Sequence, residues 1–220
     1  MPLQKAKAVI WDMDGVIVDS GPYHCRAWQY VFHKRGVEFT EEDFQHHFGQ
    51  RNDTIIRSIM GDDVSLDVMA DIAEEKEAKY RELVGQNIKA QPGAIELIET
   101  LGKDGFGMAI GSSAPMENIQ LILQALDIEK CFQAIVYGRE VTEGKPSPQV
   151  FLLAAEKLGV KPENCIVIED AVAGVAGAKK AGMKCIAVTA THDKEKLVQA
   201  DIVVDSLITV SLKDIENLLR

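Results

Sequence analysis

The stretch "AVIWDMDGVIVDSGPYHCRAW", residues 8–28, sets two aspartates at the end of an apolar run. Ala8 to Trp11 is continuously apolar and reads as a short buried strand. Asp12 and Asp14 follow with only Met13 between them, and hydrophobic residues resume at Val16, Ile17 and Val18. Two carboxylates this close repel each other and lose hydration when partly buried, unless they share a proton or a cation. Gly15 permits the tight backbone path that brings both side chains to one site. The function of the chain turns on what else reaches that site.

Three further segments read as buried strands because they are apolar and rich in β-branched residues: Met108–Gly111, Cys165–Ile168 and Cys185–Thr189. Ala134–Tyr137 and Asp201–Val204 are weaker candidates. Helical patterns lie between them, at Gly93–Leu101, Glu117–Leu126, Val150–Leu158 and Val172–Ala181. Ser147-Pro148 reads as an N-cap followed by proline at the first helical position, and Gly159 and Gly182 stand where helices should stop. Apolar strands alternating with helices argue for an α/β fold with a doubly wound parallel sheet covered on both faces.

Residues from about 20 to 86 differ in character. Apolar residues recur there at helical spacing, as in Trp28, Val31 and Phe32 or Ile55, Ile56 and Ile59. The run "EEKEAKYRE" (74–82) reads as the solvated face of a helix. The expected organisation is a core of residues 1–18 and 90–220 with an inserted α-helical cap of residues 19–89. Gly and Pro cluster near Val18–Gly21 and Lys89–Gly93, the expected hinges.

The composition narrows the partners. With 24 basic against 34 acidic residues the net charge is −10, which disfavours nucleic acid as a partner. No apolar segment approaches the roughly 20 residues needed to span a bilayer. Cys25, Cys131, Cys165 and Cys185 show no paired or metal-finger spacing and read as reduced core residues. The chain starts at Met1 and runs directly into the first strand, so no signal peptide and a cytoplasmic location are expected. No exposed apolar stripe stands out, and a monomer or weak dimer is expected.

In an open α/β sheet, ligands bind outside the carboxyl ends of the strands. Asp12 and Asp14, then Ser112 and Ser113, then Glu169 and Asp170 each follow such an end, and Lys145 lies in the turn-rich "TEGKPSP". Singly, such residues are often turn formers, helix caps or surface lysines. Together they place four carboxylates, hydroxyls and a lysine at one edge. That set calls for a hard divalent cation, and magnesium suits oxygen ligands and a phosphate substrate.

"DMDGV", "GSS", "GKPSP" and "IEDAVAGVAGAKKAG", in this order, resemble the four motifs of the haloacid dehalogenase superfamily of phosphatases and phosphomutases. The helical insert resembles the cap of its small sugar-phosphate enzymes, and "DSGPYHCRAW" is similar to the β-phosphoglucomutase subgroup. The resemblance implies a Rossmann-like core. It makes Asp12 the nucleophile, Asp14 the general acid and base, Ser112 a ligand of the phosphoryl oxygens and Lys145 their counter-charge. It implies a magnesium site of Asp12, Asp14 through its backbone carbonyl, and Asp170, with Glu169 as a ligand or a neighbour of the ligands. Cap-side and loop residues His24, Trp28, Gly49, Arg51, Asn52 and Ser113 are the expected substrate contacts. His24 reads either as a histidine that steadies Asp14 or as a structural residue of a cap helix. His46, His47 and His192 show no metal spacing.

A phosphomutase needs a second phosphate site. The mutases that the chain resembles supply it partly with a Lys-Gly-x-Ser-Arg-like cap loop and a Ser-Lys-Asn-like run after the second motif. Here these places read Phe48-Gly49-Gln50-Arg51-Asn52 and Ala114-Pro115-Met116. The expectation is therefore a magnesium-dependent phosphatase of small phosphorylated metabolites, sugar phosphates first, acting through an aspartyl phosphate. The alternatives are a β-phosphoglucomutase and a catalytically silent binding protein on the same fold.

Overall fold

The computed structural model describes residues 7–85 and 87–220. Its centre is β1 (Ala8–Trp11), flanked by β2 (Gly107–Gly111) and β4 (Cys165–Glu169). β3 (Ala134–Val136) lies outside β2, and β5 (Lys184–Val188) and β6 (Ile202–Val204) continue beyond β4. The order is β3-β2-β1-β4-β5-β6 and every pairing is parallel. The chain reverses its direction of winding at β1 and β4, the crevice where open sheets of this kind bind ligands.

Period-two alternation divides each central strand between two apolar layers. Val9, Trp11, Ile166 and Ile168 face one layer, built with α5 (Ala94–Lys103), α6 (Met116–Ala125) and α9 (Leu212–Leu218). Ala8, Ile10, Cys165 and Val167 face the other, built with α7 (Gln149–Leu158) and α8 (Val172–Lys180). Burial on both faces explains why β1, β2 and β4 carry no polar residue before their carboxyl ends. The four cysteines are free thiols.

The insert folds as α1 (Gly21–His33), α2 (Glu41–His47), α3 (Asn52–Met60) and α4 (Leu66–Val84) around its own core of Trp28, Val31, Phe32, Phe39, Ile55, Ile56, Met69 and Ile72. The connections into and out of it run side by side. Asp19 N donates to Lys89 O at 3.0 Å and Gln91 N to Ile17 O at 2.9 Å, with Val18 bridged antiparallel to Ala90. The glycine- and proline-rich segments around 18–21 and 89–93 are thus one paired strap. No helix among the described residues is long and apolar enough to cross a membrane.

Two local expectations need correction. Helix α7 opens at Gln149, one residue later than expected, with Pro148 as its cap residue and Ser147 Oγ accepting only weakly from Gln149 N at 3.4 Å. Ser147 is used instead in the turn that presents Lys145, where its N–H donates to Gly144 O at 2.9 Å. The run at 74–82 is not a solvated face throughout. Lys76 and Glu77 are 3% and 6% exposed and Tyr80 is fully buried. Helical spacing carries the inner stripe of α4 through these positions, and their charges are tolerated because they face a polar cavity.

Gly93 has φ +85°, and a Cβ there would lie 2.3 Å from Ile208 N and 2.6 Å from Leu207 C, both backbone atoms. Gly93→Ala should therefore cost about 2–4 kcal/mol in denaturant unfolding, combining left-handed strain with a clash the backbone cannot yield to. Gly159→Ala, at φ +67° with open space around it, should cost only about 1 kcal/mol. Equal losses would contradict this account.

Candidate active site

β1 is in register with both neighbours, so that Trp11 stands level with Ile110 of β2 and Ile168 of β4. Asp12 extends the β1–β4 pairing, its N–H donating to Ile168 O at 2.9 Å. Ser112, Glu169 and Asp170 therefore leave the sheet at the same level as Asp12. All four are buried.

Lys145 reaches this cluster from the loop before α7. Its Nζ donates to Asp12 Oδ1 at 2.7 Å and to Glu169 Oε1 at 2.5 Å, and the residue is 5% exposed. The Oε2 atom of Glu169 accepts from the N–H groups of Asp170 and Ala171, each at 2.8 Å. Both oxygens of Glu169 are thus committed to protein donors. A Cβ on Gly174 would lie 1.8 Å from Glu169 Oε1, so α8 can approach the carboxylate only with glycine there.

Asp170 is held differently. Its Oδ2 accepts from Thr191 Oγ1 at 2.7 Å, while Oδ1 is buried without a hydrogen-bond partner. A Cβ on Gly15 would lie 1.9 Å from Asp170 Oδ2, so the glycine after Asp14 also lets the loop close over this carboxylate. Burial raises the Asp12 carboxyl to about 7, aided by Glu169 and Asp14 and opposed by Lys145. Burial, with Glu169 and Asp12 nearby, pushes Asp170 well above the usual carboxylate range. Oxygens of Asp12, Glu169 and Asp170 lie within 4.8 Å of one another. Several buried carboxylates against one ammonium, with an orphaned oxygen among them, fit a cation. The commitment of Glu169 to Lys145 and two amides leaves Asp12 and Asp170 as the better ligands.

Asp14 faces the cap and is partly exposed. Its Oδ1 accepts from Ser20 Oγ at 2.6 Å and from His24 Nε2 at 3.0 Å. Burial works to raise this carboxyl, but His24 and Ser20, with Lys76 behind them, outweigh it and hold it below its ordinary value. Lys76 Nζ lies 2.9 Å from His24 Nδ1, on the edge of the ring away from Asp14. The imidazole is stacked on Tyr80 with centroids 3.8 Å apart.

A cavity of about 50 Å³ lies between Asp12, Asp14, Ser112 and Ser113 on one side and His24, Gly49, Asn52, Lys76 and Glu77 on the other. Trp28 touches this cavity from the aromatic core of the cap, where it is stacked on Phe32. Ser113 Oγ donates to Gly49 O at 3.0 Å, joining the core to the cap loop. Arg51 turns away from Asp12, its Nη1 donating to Val141 O at 3.0 Å and Thr142 O at 3.2 Å. The reading of the sequence missed Lys76, Glu77, Asn118 and Thr191. Only the helical spacing of 69, 72, 76 and 80 could have shown Lys76 and Glu77 facing inward.

A parallel sheet in this order, with a lysine-bridged acidic cluster at its switch point and helices of the insert over it, defines a doubly wound, Rossmann-like α/β protein with a covered acidic site. The family model for haloacid dehalogenase-like hydrolases matches residues 6–182, and the chain belongs to that family. It is 32% identical over 200 residues to a phosphorylated carbohydrates phosphatase of Thermotoga maritima, covering 88% of this chain and 91% of that protein. It is 34% identical over 205 residues to hexitol phosphatase A of Escherichia coli, covering 92% of each. The crystal structure of a β-phosphoglucomutase from Clostridium difficile superposes with a TM-score of 0.89 at 29% identity, covering 97% of both chains.

The buried acidic cluster predicts a stability cost. An acid raised in the folded state binds protons that the unfolded state has released, so its contribution becomes unfavourable as pH rises above the unfolded value. At pH 7 without divalent cations, Asp170→Asn should therefore stabilise the protein by about 1–3 kcal/mol. Added magnesium should raise the Tm of the parent chain and not that of the variant, as mass action requires of a ligand of the folded state. A variant less stable than its parent in EDTA would overturn this electrostatic account.

Proposed function

We propose that the chain is a magnesium-dependent phosphatase of small phosphorylated metabolites, sugar or polyol phosphates, working through an aspartyl phosphate. The observation that carries this reading is the convergence of Asp12, Ser112, Lys145 and Asp170 at one sheet edge, with Asp14 beside them. A carboxylate oxygen of Asp12 attacks phosphorus, and the ester P–O bond breaks. The leaving oxygen takes a proton from Asp14. Water then attacks the aspartyl phosphate and gives a proton to Asp14, releasing inorganic phosphate and restoring Asp12.

The side chains suit these roles. Lys145 offsets the charge on Asp12 and on the arriving phosphoryl oxygens, the dominant requirement of phosphoryl transfer. Ser112 Oγ accepts from Ala114 N at 3.1 Å, so its hydroxyl proton points away to a phosphoryl oxygen. An approaching phosphate dianion raises the carboxyl of Asp14, loading it with the proton it delivers. Asp12, Asp170 and the backbone carbonyl of Asp14 would hold the magnesium, and Glu169 would order Lys145 and the start of α8. When bound, the ion neutralises the clustered carboxylates and draws charge from the phosphoryl group.

The cavity of about 50 Å³ compares with roughly 300 Å³ or more for an ordinary small-molecule site. Substrate entry therefore requires the cap to swing away, and its closure excludes water from the aspartyl phosphate. We take residues 19–89 as the moving cap and 1–18 with 90–220 as the core, the paired strap serving as hinge. His24, Gly49, Asn52 and Ser113 are then the substrate-facing contacts, Trp28 backs them, and Arg51 fastens the cap loop to the core. A cytoplasmic enzyme acting as a monomer or weak dimer agrees with the free thiols and the absence of a membrane-crossing helix among the described residues.

The similarity to β-phosphoglucomutases favours a second reading, transfer of the phosphoryl group back to a sugar hydroxyl. Phosphate release from a panel of sugar and polyol monophosphates should require magnesium, cease with EDTA and fall at least about a thousandfold in Asp12→Asn. If β-glucose 1-phosphate with a bisphosphate primer gives glucose 6-phosphate faster than free phosphate, the mutase reading replaces the hydrolase. No turnover of any ester would leave a silent binding protein.

A further inference from the structure

The catalytic cavity has a much larger neighbour. A cleft of about 640 Å³ lies between cap and core beside it, and Asn52, Glu77 and Ser113 line both spaces. The cap wall of the cleft is one face of α4, where Met69, Ala70, Ala73, Glu77 and Arg81 recur at helical spacing. Its core wall is made by Ser113 and Pro115, which lead into α6, and by Gly138 and Arg139, which follow β3. These two segments of the core are locked together. Gly138 N donates to Ala114 O at 3.1 Å, and a Cβ on Gly138 would lie 2.4 Å from Ser113 O.

The two spaces differ in what they hold. The cavity of about 50 Å³ takes a phosphoryl group and little more, whereas the cleft falls within the roughly 300–1,000 Å³ of ordinary small-molecule sites. The wall between them is polar and belongs to the seam. Ser113 Oγ donates to Gly49 O at 3.0 Å and Asn118 Nδ2 to Glu77 Oε2 at 2.6 Å, each bond joining core to cap. These bonds part when the cap opens, and a substrate bearing hydroxyls can take their place when it closes. Beyond the wall both signs of charge are present. Arg81 donates through Nη1 to the neutral amide of Asn118 at 2.9 Å, and it faces the cleft together with the exposed Arg139, Glu74 and Glu117. Guanidinium groups donate to hydroxyls and carboxylates accept from them, while Met69, Ala70 and Pro115 add apolar contact.

We propose that this cleft is a leaving-group subsite, and that the enzyme acts on phosphate esters whose alcohol is larger than one sugar ring, of disaccharide size and rich in hydroxyls. The inference rests on the phosphatase reading and adds a substrate class to it. The phosphoryl group lies at Asp12, the ring that bears it spans the wall of Asn52, Glu77 and Ser113, and the second ring lies between α4 and Arg139. Contacts made there are remote from phosphorus, yet they hold the ester in place for attack by Asp12. A truncated substrate forfeits them and reacts more slowly.

The test compares glucose 6-phosphate with trehalose 6-phosphate, the same ester carrying a second glucosyl unit, using the full chain with magnesium. The wild type should prefer the disaccharide ester by at least about tenfold in kcat/KM. Ala70→Trp on the cap wall and Arg139→Trp on the core wall each place an indole in the cleft from an exposed position. Each should cut the preference at least about fivefold, whatever happens to the absolute rates. A wild type that takes both esters equally, or prefers the smaller, overturns the inference with no need of a folded variant. A preference unchanged in both variants overturns it as well. A wild type that releases phosphate from neither ester nor from any other monoester overturns the phosphatase reading, and the inference with it.

Discussion

The ammonium of Lys145, shared between Asp12 Oδ1 and Glu169 Oε1, is the interaction on which the rest of the site depends. It joins the ends of β1 and β4 to a loop 133 residues from Asp12 in sequence. Breaking a buried pair on one side leaves charges without compensation, which costs about 3–5 kcal/mol. Here the ammonium faces two carboxylates, so its loss would strand both. The switch in winding at β1 and β4 makes the contact possible, since it brings those two strand ends next to each other with open space above them. Glu169 then transmits the constraint. Its second oxygen takes the amides of Asp170 and Ala171, which fixes where α8 begins and how Asp170 points.

The cap obeys a different constraint. It carries its own aromatic and aliphatic core, and a smaller apolar cluster of Ala27, Tyr80 and Val84 packs with Leu121 of α6. What joins it to the sheet near the cavity is polar: Ser113 to Gly49, Arg51 to the carbonyls of Val141 and Thr142, and Asn118 to Glu77. A seam of hydrogen bonds loses little when it opens, because water replaces the partners. An apolar seam of the same area would hold the cap shut.

Much of this was legible in the residues. Ala8–Trp11 gave β1 to the residue, because an apolar run ending in Asp12 has nowhere to go but the sheet interior and its rim. The chemistry-bearing residues at strand ends were legible for the same reason, and Lys145 became legible through the order of the motifs. Helix boundaries shifted by a residue where a side chain had another partner, as Ser147 did in the turn before α7. The cap residues were harder. Lys76 and Glu77 stand in a charged run, and charge in a sequence carries no sign of whether its counter-charge is water, a neighbour or a cavity. Thr191 was invisible because its partner, Asp170, lies across a loop and 21 residues away. Arg51 was visible as a cation near the cap loop, but its direction depends on carbonyls of Val141 and Thr142 that only the fold brings near.

The two ends of the cavity hold charge in different ways. At the sheet edge, burial raises Asp12 and Asp170, so the resting cluster is short of positive charge and gains from a cation. At the cap end, Lys76, His24 and Asn52 have been used to keep Glu77 ionised, so that end is already satisfied. The contrast is one of pairing: a single ammonium serves Asp12 and Glu169 and leaves an Asp170 oxygen without a partner, whereas both oxygens of Glu77 have protein donors.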